Sequence, residues 1–161
     1  MRGIRLRRST SEALKKNVEQ IRDAVRQRAH TLFQTRDGRL GSALDDWLMA
    51  EHEALWRPPI EVAQHGNEIV VEAAVAGLEP NEIDVQVTPD TLVIAAERRH
   101  AHPTTKGQVH VCEFAPGRLF RSIVLPAPID PDDVKARYHN GLLTVTAHLA
   151  SAQPATVKVD H

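Results

Sequence analysis

Cysteine is nearly absent from this chain of 161 residues, in which Cys112 stands alone. A single thiol excludes an internal disulfide and suits a reducing compartment, so a cytoplasmic setting is expected. Aromatic residues are also scarce, at 4%, so any core has to be built from Val, Ile, Leu and Ala. The sequence holds no run of about 18 apolar residues, which excludes an apolar helix spanning a membrane. Its N-terminal residues contain no continuous apolar stretch of the kind found in secretory signals. Catalytic signatures are missing as well. There is no Gly-x-Ser-x-Gly elbow and no Gly-rich phosphate loop. The carboxylates are scattered along candidate strand edges and turns, and no pair stands out for acid–base work. The expectation is a protein that is not an enzyme and needs no cofactor.

What is present is ordinary in amount and uneven in placement. Hydrophobic residues make up 42% and charged residues 25% of the chain, and the formal net charge is −1. Residues 1–39 carry eleven Lys/Arg against four Asp/Glu, a balance of +7, and the remainder carries nine against seventeen, a balance of −8. Such asymmetry raises nucleic-acid binding or targeting as readings. Glu12, Glu19 and Asp23 interrupt the basic stretch. It reads instead as a solvated helix face meeting acidic surface within an assembly, with no nucleic-acid or membrane partner.

Residues 1–8 form an Arg-rich arm, expected to be disordered. Ser9 and Glu12 match a capping box that starts a helix. Leu14, Val18, Ile21, Val25 and Leu32 recur at steps that place them on one face of a helix of about 24 residues. Asp37-Gly38 and Gly41 break it. Ser42 then caps a second helix with Asp45 and Asp46 in its first turn, and Leu44, Trp47, Leu48 and Leu55 form its apolar stripe. Pro58-Pro59 closes this helical region, residues 9–56.

From Ile60 the apolar period changes from helical spacing to two. Ile60 and Val62, then Ile69, Val71, Ala73 and Val75, then Ile83, Val85 and Val87, then Leu92, Ile94 and Ala96 alternate with polar neighbours. After a polar loop at 98–108, Val109 and Val111 start another strand. Leu119 to Leu125 follows the Pro116-Gly117 turn, and Pro126 to Pro131 is a connection. Val134, Ala136 and Tyr138 are joined to Leu143, Val145 and Ala147 by Asn140-Gly141, a strong hairpin signal. Short strands with regular turns and no intervening helices predict a mainly β fold, an antiparallel sandwich over residues 57–148. Residues 149–161 read as a flexible tail ending in Val157-Lys158-Val159, which places two apolar groups on one side of an extended strand.

One metal-like constellation is present. His100-x-His102 and His110-x-Cys112 are two i,i+2 pairs flanking a loop, and four N/S ligands would suit zinc. The spacing matches no common zinc motif, so chance clustering is the expectation and no metal is assigned. Cys112 has no basic neighbour evident in sequence to activate it and is expected to be a buried or half-buried small hydrophobe in a strand.

Specific motifs then accumulate in order. Ala136-Arg137-Tyr138-His139-Asn140-Gly141-Leu142-Leu143 resembles the Ala-x-x-x-Asn-Gly-Val-Leu signature of the small heat shock proteins, the α-crystallin family. Gly117-x-Leu119-Phe120-Arg121 with Leu125-Pro126 resembles that family's Gly-x-Phe-x-Arg-x-x-x-Leu-Pro segment, and Leu92-x-Ile94-x-x-Glu97-Arg98 its strand ending in Glu-Arg. Ala76-Gly77-Leu78 stands where the family usually has Pro-Gly-Val. The resemblance implies an immunoglobulin-like sandwich and an ATP-independent holdase that assembles into homo-oligomers and binds unfolding proteins. It implies dimerisation by strand exchange, with Val109 and Val111 facing Ile60 and Val62 of a second subunit and Arg121 at that interface. It also implies that Val157 and Val159 dock in a groove edged by Val85, Val87, Val134 and Ala136. The alternative from another class is a co-chaperone-like sandwich module that docks one defined partner.

The N-terminal part is similar to something else. Arg28-Ala29-His30 through Asp45-Asp46-Trp47-Leu48-x-Ala50-Glu51 resembles a short bacterial helical module of unknown function. The resemblance implies a helical hairpin and a bacterial source. Leu14, Val18, Ile21, Val25, Trp47 and Leu48 are its candidate client-binding residues.

Overall fold

The computed structural model describes residues 3–35, 42–98, 107–113 and 117–151. The alternation read from sequence produces two stacked sheets. Strands β1 (Arg5–Arg8), β5 (Ile83–Val87), β6 (Thr91–Arg98), β7 (Gly117–Val124) and β2 (Leu55–Trp56) form one, in the order β1-β5-β6-β7-β2. Strands β3 (Ile60–His65), β4 (Glu68–Ala74), β9 (Leu142–Leu149) and β8 (Ile129–His139) form the other, in the order β3-β4-β9-β8. Two helices, α1 (Ser11–Thr35) and α2 (Ala43–Ala54), precede the sandwich and pack on each other.

The four-stranded sheet is antiparallel throughout, and so are β5-β6-β7. The five-stranded sheet is mixed, because β1 and β2 join its two sides in parallel. The sequence pattern missed both additions. The arm expected to be disordered contributes β1, and Leu55, expected on the stripe of the second helix, lies in β2. The chain also enters β8 at Ile129, inside the stretch expected to be a connection.

Residues spaced by two meet at the centre. Ile83, Val85 and Val87 of β5, Leu92 and Ile94 of β6 and Leu119 of β7 face Ile69, Val71, Leu143 and Val145 of the other sheet in one buried cluster. Burial of each such side chain contributes about 1.5–3 kcal/mol. In β5 the outward residues Asp84 and Gln86 are buried too. Helix α1 is the reason: Asn17, Gln20 and Ile21 lie across from Asp84, Gln86, Val93 and Ala95, around a cavity of about 540 Å³.

Caps and turns close the elements. Thr10, and not Ser9, caps α1: its Oγ1 accepts from the Ala13 backbone N–H at 3.2 Å. Ser42 caps α2 as its sequence indicates, in a reciprocal box with Asp45. The Tyr138 hydroxyl donates to the Leu78 carbonyl at 2.8 Å and ties β8 to the loop before β5. At the β8–β9 hairpin, Asn140 and Gly141 both have positive φ, 50° and 82°, as a type I′ turn requires.

Gly141 also approaches Ala76 closely: a Cβ there would lie 2.9 Å from the Ala76 Cβ. Gly66 shares the left-handed conformation, with φ +59, but has nothing within 4 Å. Gly66→Ala is therefore expected to cost about 1 kcal/mol of backbone strain, and Gly141→Ala about 2–3 kcal/mol, strain and crowding together. Urea denaturation of the two variants checks this, and equal costs would remove the close-approach argument.

Candidate protein-binding site

Protein-binding surface in a sandwich arises where a sheet edge is open or where apolar side chains stay outside. The outer edge of β3 is of the first kind, since among the described residues β3 ends its sheet and pairs there with β4 alone. Its Ile60 and Val62 are half-buried and pack against the core cluster. Val109 and Val111 lie in residues 107–113, which form no strand within the chain. They are 49% and 80% exposed. The strand expected there is thus not made in the single chain. A strand needs a neighbouring strand for its backbone groups, and among the described residues no strand pairs with Val109 or Val111. Arg121, half-buried, shares the inward side of β7 with Leu119 and Ile123, at the position paired with Ile94.

The four residues read as edging a groove lie on two strands, β5 and β8. Val85 and Val87 are fully buried along β5, and Val134 and Ala136 are half-buried along β8 and pack against the same core. The groove between them is filled in this structure. Strand β1 lies in it, with Leu6 paired to Val85 and Arg8 to Val87. Its Ile4 packs on the core cluster, and the Ser9 N–H donates to the Val87 carbonyl at 2.9 Å.

Two ion pairs hold the strand. Arg7 meets Asp84 at 2.6 Å, and Arg8 meets Asp132 of β8 at 2.8 Å. The Asp84 side chain is only 12% exposed, and its Oδ2 also accepts from the Gln86 amide at 2.9 Å. Ile4 and Leu6 alternate with Arg5 and Arg7, a period-two signal that was available in sequence but spans only two apolar residues. Val157 and Val159 lie outside the described residues.

The helices hold a reversal. On α1, Leu14 and Val25 are buried and Val18, Ile21 and Leu32 are half-buried, so the apolar face is turned inward. On α2 the buried residues are Asp46 and Ala50, one turn apart. The apolar stripe read from the sequence points outward: Leu44 is 65% and Leu48 53% exposed, beside Met49, and Trp47 is half-buried. Phe33, near the end of α1, is exposed as well. Ala50 is fully buried, and the bulkier Leu44, Leu48 and Met49 are left outside.

Of the metal-like constellation, His100 and His102 lie outside the described residues, and His110 is exposed. Cys112, expected to be buried or half-buried in a strand, is exposed and outside any strand because residues 107–113 do not join a sheet here. Among the described residues no group of three His, Cys, Asp or Glu is placed to hold a metal ion. No helix among them is long and apolar enough to cross a membrane.

Comparison with known proteins places this geometry. The model of the Hsp20/alpha crystallin family matches residues 61–160, and the family described as Protein of unknown function (DUF2934) matches residues 20–55. The chain is 35% identical over 85 residues to Alpha-crystallin of Mycobacterium tuberculosis, a match covering 52% of this chain and 56% of that protein. It is 32% identical over 100 residues to the 17.6 kDa class II heat shock protein of Arabidopsis thaliana, covering 61% and 64% respectively. The chain thus spans less than two thirds of the length of these curated relatives. Among solved structures it resembles Heat shock protein 16.0 from Schizosaccharomyces pombe, with TM-score 0.54 and 26% identity over 66% of this chain and 98% of that one. A small heat-shock protein from Xylella fastidiosa gives TM-score 0.52 at 25% identity, over 66% and 98%.

The packing of the helices yields a test. Leu14→Ala is expected to cost about 2 kcal/mol or more. Leu48→Ala, on the exposed face of α2, is expected to change the unfolding free energy by less than about 0.5 kcal/mol. Thermal denaturation of both variants measures this, and a large loss from Leu48→Ala would contradict the outward orientation of α2.

Proposed function

The chain belongs to the Hsp20/alpha crystallin family, and from that premise we propose that it is an ATP-independent holdase that captures unfolding proteins before they aggregate. The family is one of non-enzymatic chaperones whose members form homo-oligomers. The observation that carries the finer reading is the outward apolar face of α2, where Leu44, Leu48 and Met49 stand exposed beside a half-buried Trp47. An unfolding client exposes apolar surface without fixed geometry, and an exposed apolar helix face can cover it with low specificity. Met suits this use because its unbranched side chain adapts to varied partners. Client capture therefore falls to α2 in this reading, while Leu14, Val18, Ile21 and Val25 of α1 serve packing.

Assembly supplies the second part. The open edge of β3, beside Ile60 and Val62, suits a strand donated by another subunit. The exposed Val109 and Val111 are the candidates to provide it, with Arg121 at the same interface. The tail anchor Val157 and Val159 is assigned to the groove of Val85, Val87, Val134 and Ala136. Two valines contribute at most about 3–6 kcal/mol of gross burial before ordering costs. A single tail contact is then weak and reversible, and the oligomer depends on several together. The lone cysteine supports a cytoplasmic location.

The decisive assay follows light scattering of a heated or reduced model client with this protein and no nucleotide. Suppression at a roughly equimolar ratio is expected, and its absence would sink the holdase reading. For assembly, Val157→Ala with Val159→Ala is expected to lower the particle mass measured by size-exclusion light scattering. An unchanged mass would mean that the tail does not hold the oligomer together.

A further inference from the structure

The groove assigned to the tail is already occupied by the chain's own β1. We infer that β1 is a built-in competitor of the tail: the groove admits a tail strand only after Ile4–Ser9 has peeled away, and two arginine–carboxylate pairs set how often that happens. This rests on the assignment of the tail to the groove.

Three features favour the arm over the tail. The first is apolar fit. The arm packs Ile4 on the core cluster, with Leu6 37% exposed above Val85, where the tail offers the smaller Val157 and Val159, and each extra methylene buried adds to affinity. The second is charge. The groove is flanked by Asp84 on β5 and Asp132 on β8, and the arm meets them with Arg7 and Arg8. The tail carries Lys158 between its valines and then Asp160, which would add a carboxylate beside two others. The third is connectivity. The arm is tethered through Ser9 and Thr10 to α1, whose residues lie over Asp84 and Gln86. It therefore competes at the high effective concentration of an intramolecular ligand.

The ion pairs also make the competition sensitive to salt. Arg7 and Arg8 are 63% and 65% exposed and Asp132 is 61% exposed, so these contacts are screened as ionic strength rises. Salt should then loosen the arm and open the groove to the tail. A tail strand held by its own charges would respond in the opposite sense. When the competent state is a minor one, apparent affinity falls by the fraction that is open.

The test uses the full-length chain carrying Val157→Ala and Val159→Ala, so that its own tail is out of play. A fluorescein-labelled peptide of residues 152–161 is titrated in and followed by anisotropy, with and without Arg7→Ala and Arg8→Ala. The expected result is a dissociation constant roughly tenfold lower without the arginines, as for a groove closed about nine-tenths of the time. Sodium chloride is expected to tighten binding to the Arg-containing chain and to leave the Arg-free chain unimproved. Equal dissociation constants in the two chains, for a peptide that Ala136→Glu displaces, would overturn the competition and leave the groove assignment standing. No binding to either chain, or binding that Ala136→Glu does not weaken, would overturn the groove assignment and the competition with it.

Discussion

An open sheet edge presents unpaired N–H and C=O groups, and the disposition of these edges governs most of what this chain displays. The antiparallel core β5-β6-β7 would end on two open edges. It receives β1 along β5 and β2 along β7, both in parallel. The other sheet ends on β3 and β8. One of these lies beside a half-buried apolar pair, Ile60 and Val62. The other forms a wall of the groove that β1 fills. Each place where another chain can join is therefore a place where the sandwich has to be completed or is already completed from within.

The interior tolerates little change, whereas the helical layer is more permissive. Val85, Ile94 and Leu143 are sealed from solvent, and Gly141 fits against Ala76 with no room for a methyl group. Outside the sandwich, α1 spans the outward side of β5 and β6 across a cavity lined by Asn17, Gln20, Asp84 and Gln86 as well as by Ile21 and Val93. A contact with that much polar lining and empty volume holds less firmly than a packed core. The N-terminal layer is thus the part best able to shift relative to the β-domain.

Much of the β-domain was legible because its signals are local and repeated. Ile69-x-Val71-x-Ala73 and Leu143-x-Val145-x-Ala147 state both the strand and the buried face, and Asn140-Gly141 states the turn. The parts that went unread depend on partners far along the chain. Ile4 and Leu6 look like part of a basic arm until β5 exists, and Arg7 finds Asp84 across 77 positions. Val109 and Val111 carry strand chemistry, yet among the described residues no strand pairs with them. On α2 the apolar stripe is read without a direction: Leu44 and Leu48 face outward, Asp46 and Ala50 are the buried pair, and Leu55 belongs to β2. The sequence reading assigns the groove of Val85, Val87, Val134 and Ala136 to Val157 and Val159, whereas β1 is what lies along Val85 and Val87 here.

The pairing of Arg8 with Asp132 has a further consequence in time. The two residues are 124 positions apart, and a ribosome adding about 5–20 residues per second needs roughly 6–25 seconds to pass from one to the other. Throughout that interval the basic arm has left the ribosome before the wall that will clamp it has been made. The arm can therefore reach its final place only near the end of synthesis, once both β5 and β8 exist to receive it.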